Sequence, residues 1–374
     1  MNWNRSAAVA LAAAACVTLA QPVAATAATG TPSGPWTAPN CTRVTGDGAV
    51  TFTTDGGATL TPTSGTLKPI SYTHGLIALD TPNTLLATHN NELQRSTDAG
   101  CSWTKAANLG SGAVRLVAGV GNRAFGWQQN ASYLVRVDGT AVTTLASPTA
   151  TVVGVGTDRT DPAHVRVAGS DGRLYDSRDG GASWTAAAGL PFGEDALVYS
   201  VGFDPADPGH ATAGAMARGG ATTRDGGATW TPVTGLSATG GAANLFRAAY
   251  SPADPNTVYA LGIDLGETTR EGRHLFRSTD GGLSFSRIVD NTADTQLTNG
   301  TLLAPSPTDA NVLHFEYGTY FQGYGTDLFR YDAATGLVSK THNTHDGVSA
   351  IAFNPAQPGV MYLGLKEIEV DPLS

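Results

Sequence analysis

Residues 177–184 read Ser-Arg-Asp-Gly-Gly-Ala-Ser-Trp, and the same pattern, S/T-x-D-x-G-x-S/T-aromatic, occurs again elsewhere in the chain. Full copies begin at Ser96, Thr223 and Ser278, and a weaker copy that ends on an aliphatic residue begins at Thr53. Self-similarity at a regular spacing is the signature of a repeat protein, in which each repeat is one supersecondary unit. The sequence therefore predicts a repetitive fold with this pattern once in a unit.

The residue types in this pattern are those of a tight β-hairpin turn. Short polar side chains at its first and third positions can accept hydrogen bonds from backbone N–H groups of the turn. Glycine allows the positive φ that such a turn needs, and the aromatic residue begins the next strand with its ring beneath the turn. A catalytic or metal-binding role would require five equivalent sites. We therefore expect a structural role for Asp55, Asp98, Asp179, Asp225 and Asp280.

These motifs resemble Asp-boxes, the BNR repeats of sialidases and of many secreted propellers. The resemblance implies an all-β fold, a propeller of four-stranded antiparallel blades. Two decayed hairpins, at 137–140 and 331–334, complete the series, and successive hairpins lie 43, 40, 41, 46, 55 and 52 residues apart. A blade of four short strands needs about 40–50 residues. Seven hairpins at this spacing predict a single seven-bladed β-propeller over residues 41–374.

The two ends of the predicted propeller complement each other. Residues 348–353 and 360–365 are predicted strands with no box after them, whereas residues 49–60 carry a box with no strands before it. Side by side, the three segments make one complete blade. We therefore expect the N- and C-terminal strands to share a blade, which also removes the exposed sheet edges of an open array.

The first residues are predicted to be an export signal. Arg5 supplies a positive charge, residues 6–20 are mainly apolar, and residues 25–27 match the small-x-small cleavage rule. This pattern predicts cleavage after Ala27 and a secreted, extracellular protein; a lipoprotein signal at Cys16 is the alternative. Residues 28–40, rich in Pro, Ser and Gly, are predicted to be a flexible tail.

Two cysteines, Cys41 and Cys101, remain after this cleavage. Outside the cytosol an isolated pair usually forms a disulfide, and two separate buried thiols are the alternative. A bridge would close a loop of about 60 residues and stabilise the fold by roughly 3–4 kcal/mol. Because Cys41 precedes the N-terminal strand and Cys101 lies in the hairpin of the adjoining blade, the bridge would hold the closing strand.

Composition agrees with a turn-rich β protein. Only 14% of residues are charged and 46 are Gly, while the 41% of hydrophobic residues are enough to form a core. The net charge of −9 argues against a nucleic-acid binder, which needs a basic surface. No HExxH, GxSxG, Walker A or CxxC pattern follows the leader. We therefore expect no catalytic residue, metal or cofactor, and a monomer that binds neither nucleic acid nor membranes.

Two blades carry extra residues between their second and third strands, on the face opposite the boxes. Charged and aromatic residues on loops of a rigid scaffold are typical of recognition sites. The alternative is that the two inserts pack on each other and cover the rim. The candidate binding residues are Asp264, Glu267, Arg270, Glu271 and Arg273 in the first insert, and Glu316, Tyr317, Tyr320, Phe321 and Tyr324 in the second.

As a single secreted propeller with one predicted bridge and terminal closure, the chain also resembles the dispase autolysis-inducing proteins of filamentous bacteria. This resemblance implies a non-catalytic interaction protein that binds a neutral metalloprotease and promotes its autolysis. It further implies cross-linking by transglutaminase, for which Gln129, Gln296 and Gln322 on predicted loops are the candidate acyl donors.

Two other functions are compatible with the sequence. A glycan-binding or glycoside-hydrolase-like Asp-box propeller would use the aromatic residues of the second insert to stack on sugars. The Arg-Ile-Pro motif of sialidases is absent, and no spacing singles out the pair of carboxylates that glycoside hydrolysis needs. An assembly factor similar to the photosystem propellers that share the boxes is disfavoured by the export signal.

Overall fold

The structure, a computed structural model, describes residues 35–67, 71–193, 195–292, 295, 297–318, 326–344 and 347–367, with the backbone alone at residues 71, 270, 317–318, 326–327, 342–344 and 367. Within these ranges the chain is all-β, and its one helical element is the short 3₁₀ helix η1, Thr269–Gly272. None of the described helical residues forms a segment long and apolar enough to cross a membrane. The predicted all-β class is confirmed.

Twenty-seven strands make up the described chain. In chain order they are β1 Val50–Thr53, β2 Ser71–Ala78, β3 Leu85–His89, β4 Glu92–Ser96, β5 Thr104–Asn108, β6 Val114–Ala118, β7 Arg123–Gln128, β8 Leu134–Asp138, β9 Ala141–Thr144, β10 Val152–Thr157, β11 Val165–Gly169, β12 Arg173–Ser177, β13 Thr185–Gly189, β14 Val198–Phe203, β15 Ala211–Ala215, β16 Gly219–Thr223, β17 Thr231–Pro232, β18 Ala243–Ser251, β19 Asp254–Asp264, β20 Arg273–Ser278, β21 Ser286–Asp290, β22 Leu303–Pro305, β23 Val312–Gly318, β24 Thr326–Asp332, β25 Leu337–Thr344, β26 Gly347–Phe353 and β27 Met361–Glu367.

From β2 onwards, consecutive strands pair antiparallel in groups of four. The groups β6–β9, β10–β13 and β22–β25 are separate four-stranded sheets. The groups β14–β17 and β18–β21 belong to one eight-stranded sheet, joined by a single parallel pair between Gly219 and Asn244. The four-stranded antiparallel groups agree with the blade architecture expected from the repeat. We refer to β2, β6, β10, β14, β18, β22 and β26 as the first strands of their groups.

The N-terminal strand pairs with the C-terminal strand. In the antiparallel pair of β1 and β27, Val50 lies opposite Gly364 and Thr53 opposite Met361. β26 pairs antiparallel with the opposite edge of β27. The end of β27 also pairs with β2, where Tyr72 lies opposite Lys366. Parts of the three segments at 49–60, 348–353 and 360–365 therefore lie in one sheet.

The predicted disulfide is present between Cys41 and Cys101, whose Cα atoms are 5.8 Å apart. The chain that follows Cys41 also joins the β4–β5 hairpin through its backbone. The N–H of Thr45 donates to the carbonyl oxygen of Cys101 at 2.9 Å, and the N–H of Trp103 donates to the carbonyl oxygen of Thr45 at 2.9 Å. The bridge thus links the segment before β1 to the next group of strands.

The described part of the predicted flexible tail makes defined contacts. The indole Nε1 of Trp36 donates to the carbonyl oxygen of Leu79 at 3.1 Å. The backbone of Thr37 donates to Asn83 Oδ1 at 2.8 Å and accepts from Asn354 Nδ2 at 2.7 Å. Composition alone suggested mobility here, but an indole ring that finds both an apolar surface and an acceptor fixes this part of the segment.

Apolar side chains fill the space between consecutive groups. Leu86 and Leu93 of the β2–β5 group, for example, pack with Val114, Val135 and Val137 of the β6–β9 group. The strands are buried on both faces in this arrangement, so their apolar residues do not alternate strictly with polar ones.

Glycine lets the first strands approach each other closely. A Cβ at Gly154 would lie 2.3 Å from the carbonyl oxygen of Val201, and a Cβ at Gly202 would lie 2.3 Å from that of Ala248. Nothing larger than hydrogen fits at either position. The glycines of β10 and β14 therefore set the spacing between neighbouring groups.

Candidate binding cavity

The aspartates of the repeated motif accept hydrogen bonds from residues of their own turns. In the turn after β12, the carboxylate of Asp179 accepts hydrogen bonds from the Ser183 N–H at 2.9 Å, the Ser183 hydroxyl at 2.6 Å and the Ser177 hydroxyl at 2.7 Å. The Gly181 N–H donates to Ser177 Oγ at 2.7 Å. Equivalent bonds surround Asp55, Asp98, Asp225 and Asp280. These contacts agree with the structural role expected for the five aspartates.

The hydrogen bonds of these turns shift the aspartate pKa values. The hydroxyl and N–H of Ser183 lower the pKa of Asp179 to about 2, and Thr59 and Thr229 do the same for Asp55 and Asp225. At Asp280 burial alone would raise the pKa, but the surrounding donors bring it to about 2. The carboxylates therefore stay ionised, as acceptors of hydrogen bonds and not as proton donors.

The first insert folds back onto the protein. Asp264 is only 3% exposed, and its carboxylate accepts from the Ala238 N–H at 2.8 Å and the Gly266 N–H at 2.9 Å. Glu267 accepts hydrogen bonds from Arg287 at 3.0 Å and from His274 at 3.1 Å. The sequence predicts both residues as binding residues of an exposed loop. Their carboxylate oxygens instead accept hydrogen bonds from the protein itself, and these bonds hold the loop in place.

The end of the first insert is also engaged. Arg273 donates to the carbonyl oxygen of Leu297 at 3.0 Å, to Asn299 Oδ1 at 3.1 Å and to Glu271 Oε2 at 2.6 Å. Glu271 remains exposed, and Arg270 lies in η1. The insert thus packs on the loop that precedes β22.

The second insert begins later than the sequence suggested. Glu316 and Tyr317 belong to β23, because residues 312–318 pair with residues 326–332 along their whole length. Glu316 is 5% exposed, so it is a buried residue of the sheet and not a residue of an exposed loop. Tyr320, Phe321 and Tyr324 lie outside the described residues.

The structure describes one of the three candidate glutamines. Gln129 follows β7, is half-buried, and donates from its amide nitrogen to the carbonyl oxygen of Tyr199 at 2.7 Å. Its side chain is therefore less available than the predicted exposed loop implied. Gln296 and Gln322 lie outside the described residues.

Side chains from the first strands surround two adjoining cavity compartments. One compartment, of about 390 Å³, is lined mainly by β10, β14 and β18 together with Trp127 and Gln129. The other, of about 310 Å³, is lined by His74, Leu116, Ser349 and neighbouring residues. Both are lined by Arg115, Arg247 and Gly300, where they meet. Volumes of this order are typical of small-ligand sites.

Charged side chains from four strands converge in these compartments. Arg115 lies on β6, Arg247 on β18, Glu316 on β23 and Lys366 on β27, and all four line the 310 Å³ compartment. Arg115 also lies over the indole ring of Trp127, with Cζ 5.4 Å from the ring centroid. Arg247 donates to the carbonyl oxygen of Thr301 at 3.3 Å. Among the described residues, three cations therefore share the compartment with one carboxyl group.

Burial dominates the electrostatics of this cluster. Burial, followed by repulsion from Arg247, lowers the pKa of Arg115 to about 9. Burial also lowers the pKa values of Arg247 and Lys366, although attraction to Glu316 opposes this. The pKa of Glu316 is raised by burial, against the effects of Lys366, the Leu302 N–H and Arg247. Arg115 thus remains charged at neutral pH in a poorly solvated site.

The 390 Å³ compartment adds an apolar surface beside the cations. The rings of Tyr199 and Phe246 contact each other with centroids 4.8 Å apart, and Trp127, Val153 and Val201 complete this wall. The site therefore offers positive charge and aromatic surface side by side, a combination suited to an amphipathic anion.

A larger groove, of about 610 Å³, lies near the disulfide. Its charged groups are already paired with each other: Asp47 with His89 at 2.9 Å, and Glu92 with Lys105 at 2.6 Å. We prefer the smaller cavity as the candidate site, because its cations outnumber its carboxylates.

Sequence reasoning did not single out Arg115, Arg247 or Lys366. Each is the one basic residue of a mainly apolar strand, in a protein with 22 Lys and Arg among 374 residues. A basic residue at a strand position where the pattern requires an apolar one is the signal that could have identified them.

The fold and the cavity together define an all-β, propeller-like protein with a cationic site among its first strands. The chain belongs to the family of the dispase autolysis-inducing protein of Streptomyces mobaraensis, to which it is 67% identical over 375 residues, with 99% of each chain covered. No protein-family model matches the sequence.

Several solved propellers resemble the fold. YCF48 bound to D1 peptide has a TM-score of 0.56 at 12% identity, with 80% of this chain and 95% of that chain covered. The xyloglucanase of glycoside hydrolase family 74 from Xanthomonas campestris has a TM-score of 0.52 at 17% identity, covering 71% of this chain and 46% of that one. An ancestral enzyme of the same family has a TM-score of 0.56 at 15% identity, with coverages of 80% and 45%. The chain thus spans less than half of these two hydrolases, and the likeness concerns the fold.

Proposed function

We propose that the strand groups form one closed, seven-bladed propeller of Asp-box repeats. Support comes from the six groups of four strands in chain order and from the sheet in which β26, β27 and β1 pair. The hydrogen bonds around the five aspartates support the assignment of the turns as Asp-boxes.

We further propose that the protein is a secreted, non-catalytic partner of an extracellular neutral metalloprotease and promotes the autolysis of that protease. The observation that carries this proposal is the 67% identity, over the full chain, to a protein named for inducing the autolysis of dispase. At this identity over the full chain, a partner of the same class is expected.

The chemistry of the cavity supports a binding role over glycoside hydrolysis. A glycosidase needs two carboxyl groups on either side of the scissile bond. Glu316 is the one carboxyl group among the described residues that line the two compartments, and Lys366 and Arg247 compete for it. The glycan-active alternative therefore finds no pair of acids at the candidate site.

Cross-linking by transglutaminase remains a prediction for this chain. The contacts of Gln129 shift the expectation towards Gln296 and Gln322 as acyl donors. Incorporation of a primary-amine probe, followed by peptide mapping, would locate the reactive glutamine.

The test of the main proposal is an autolysis assay. The purified chain, without residues 1–27, is mixed with a dispase-type metalloprotease, and the intact mass of the protease is followed over time. We expect the protease to fragment faster than it does alone or with heat-unfolded chain. An unchanged lifetime of the protease would contradict the proposed function.

A second arm of this assay separates partner from enzyme. The protease is first inactivated by a metal chelator, which stops its self-cleavage but leaves it as a possible substrate. We expect no fragments in this arm, because the proposal gives the chain no peptidase activity. Fragments of the inactivated protease would show that the chain itself cleaves it.

A further inference from the structure

Among the described residues that line the cavity, positive charge exceeds negative charge. Arg115 and Arg247 lie there with one described carboxyl group, Glu316, which also accepts a hydrogen bond from the N–H of Leu302. No described carboxylate pairs with Arg115, whose charged neighbour is another arginine. Like charges held together at low dielectric attract an anion strongly. This excess is notable in a protein whose net charge is −9.

The two arginines retain donors for such an anion. A guanidinium group has five N–H donors in a planar fork that matches a carboxylate. Among the described residues, Arg247 donates one hydrogen bond, to the carbonyl oxygen of Thr301 at 3.3 Å. Arg115 rests its face on Trp127, which leaves the edge of the guanidinium for hydrogen bonding.

The position of the apolar compartment limits the shape of the ligand. The aromatic wall of Tyr199, Phe246 and Trp127 begins where the two compartments meet, at Arg115 and Arg247. A ligand that fills both compartments must therefore carry its carboxylate close to an apolar group. The last residue of a peptide chain has this form, since its free carboxylate and its side chain share one Cα atom.

A sugar acid fits the same site less well. Its hydroxyl groups would need several acceptors and donors, but Ser200 Oγ already donates to the carbonyl oxygen of Phe246 at 2.8 Å. Ser349 Oγ is likewise engaged by the carbonyl oxygen of Thr73. We propose that the cavity binds the C-terminal carboxylate of a peptide chain between Arg115 and Arg247, with an apolar last side chain against Phe246 and Trp127.

This inference rests on the proposed function to the extent that both make the partner a protein. Proteolysis creates new chain ends with free carboxylates, so a self-cleaving protease supplies ligands of this class. The two proposals can nevertheless fail separately. Peptide binding without promoted autolysis would contradict the proposed function alone, whereas promoted autolysis without peptide binding would contradict the inference alone.

The experiment is a calorimetric titration of the mature chain, at pH 7 and low salt, with acetyl-Gly-Gly-Phe and with its C-terminal amide. We expect the free acid to bind at least tenfold more tightly than the amide. Equal affinity of the two peptides, or no binding of either, would overturn the proposal. Equally tight binding of benzoate, of galacturonate or of an amidated peptide with an internal glutamate would also overturn it, because each lacks the peptide end.

Two variants with opposite expected effects distinguish a change in ligand binding from a loss of folding. Arg115→Gln should weaken binding of the free acid about tenfold, whereas Glu316→Gln should tighten it, since the competing carboxylate is removed. Arg178→Gln, at an arginine whose side chain is 66% exposed, is the matched control and should change nothing. Equal effects of Arg115→Gln and Arg178→Gln, or weaker binding by a folded Glu316→Gln protein, would contradict the assignment.

Discussion

At the scale of single residues, the same side-chain type has two different roles in this protein. Asp179 and Asp225 lie at the surface, yet each is fixed by three hydrogen bonds within its own turn. Glu316 is buried beside cations, and these cations also form the proposed site for the anion of a ligand. Local sequence specifies the first role completely. The second depends on residues from distant strands.

The turn aspartates give a testable dependence of stability on pH. Their folded pKa values of about 2 lie below the value of 3.8 expected when they are unpaired. A carboxylate of this kind contributes its stability above the unfolded pKa and loses it as the pH falls through the folded pKa. We therefore expect the urea midpoint of unfolding, followed by tryptophan fluorescence, to fall as the pH drops from about 4 towards 2.

The double variant Asp179→Asn/Asp225→Asn tests the source of this loss. It should be less stable than the natural chain at pH 7 and should lose less stability between about pH 4 and 2. Asp195→Asn, in an exposed loop, is the control. If the double variant followed the same pH curve as the natural chain, the turns would not be the origin of the acid sensitivity.

At the scale of strands, turn chemistry and close packing set the architecture. The sequence places strands to within a residue or two: those predicted at 348–353 and 360–365 are β26, Gly347–Phe353, and β27, Met361–Glu367. The end of β23 is less predictable, because pairing with β24 extends the strand to Gly318, beyond the point where its sequence becomes rich in glycine. Strand pairing can thus override a loop-like composition, as it does at Glu316 and Tyr317.

The close approach of first strands predicts a sharp effect of one methyl group. In Gly202→Ala the new Cβ would lie 2.3 Å from the carbonyl oxygen of Ala248 on the neighbouring first strand. Overpacking of this kind costs about 1–3 kcal/mol, so thermal unfolding should occur at a lower temperature. Gly359→Ala, where nothing lies within 4 Å of the added Cβ, is the matched control. Equal melting temperatures for the two variants would mean that the strands can separate without cost.

At the scale of the whole molecule, the sequence predicts the frame better than the site. The all-β class, the antiparallel groups of four strands and the disulfide follow from residue types and from spacing along the chain. The cavity does not, because Arg115, Arg247 and Lys366 belong to strands far apart in sequence, and only the packing of the sheets brings them together. The loops that the sequence favoured as a binding site are instead partly used for packing, as the contacts of Asp264 and Arg273 show.

The disulfide anchors the segment that precedes β1, the strand that pairs with the C-terminal strand β27. Cys41 is bonded to Cys101 in the turn after β4, and the strand that follows, β1, pairs only with β27 among the described strands. In the unfolded chain the bridge closes a loop over a sequence separation of 60, which corresponds to about 4 kcal/mol of stability. Removing it should therefore destabilise the whole molecule and act most strongly on β1.

The variant Cys41→Ser/Cys101→Ser tests both parts of this expectation. Urea unfolding should show a loss of about 4 kcal/mol, and hydrogen exchange should accelerate most in residues 50–53, since β1 pairs with no described strand other than β27. Strands far from the bridge, such as β10 and β11, serve as the internal control. Hydrogen exchange in these strands should accelerate only by the uniform amount that the lower global stability causes. If β1 exchanged no faster than β10 in the variant, its pairing with β27 would be sufficient to hold the two ends together, and the bridge would act on the unfolded chain alone.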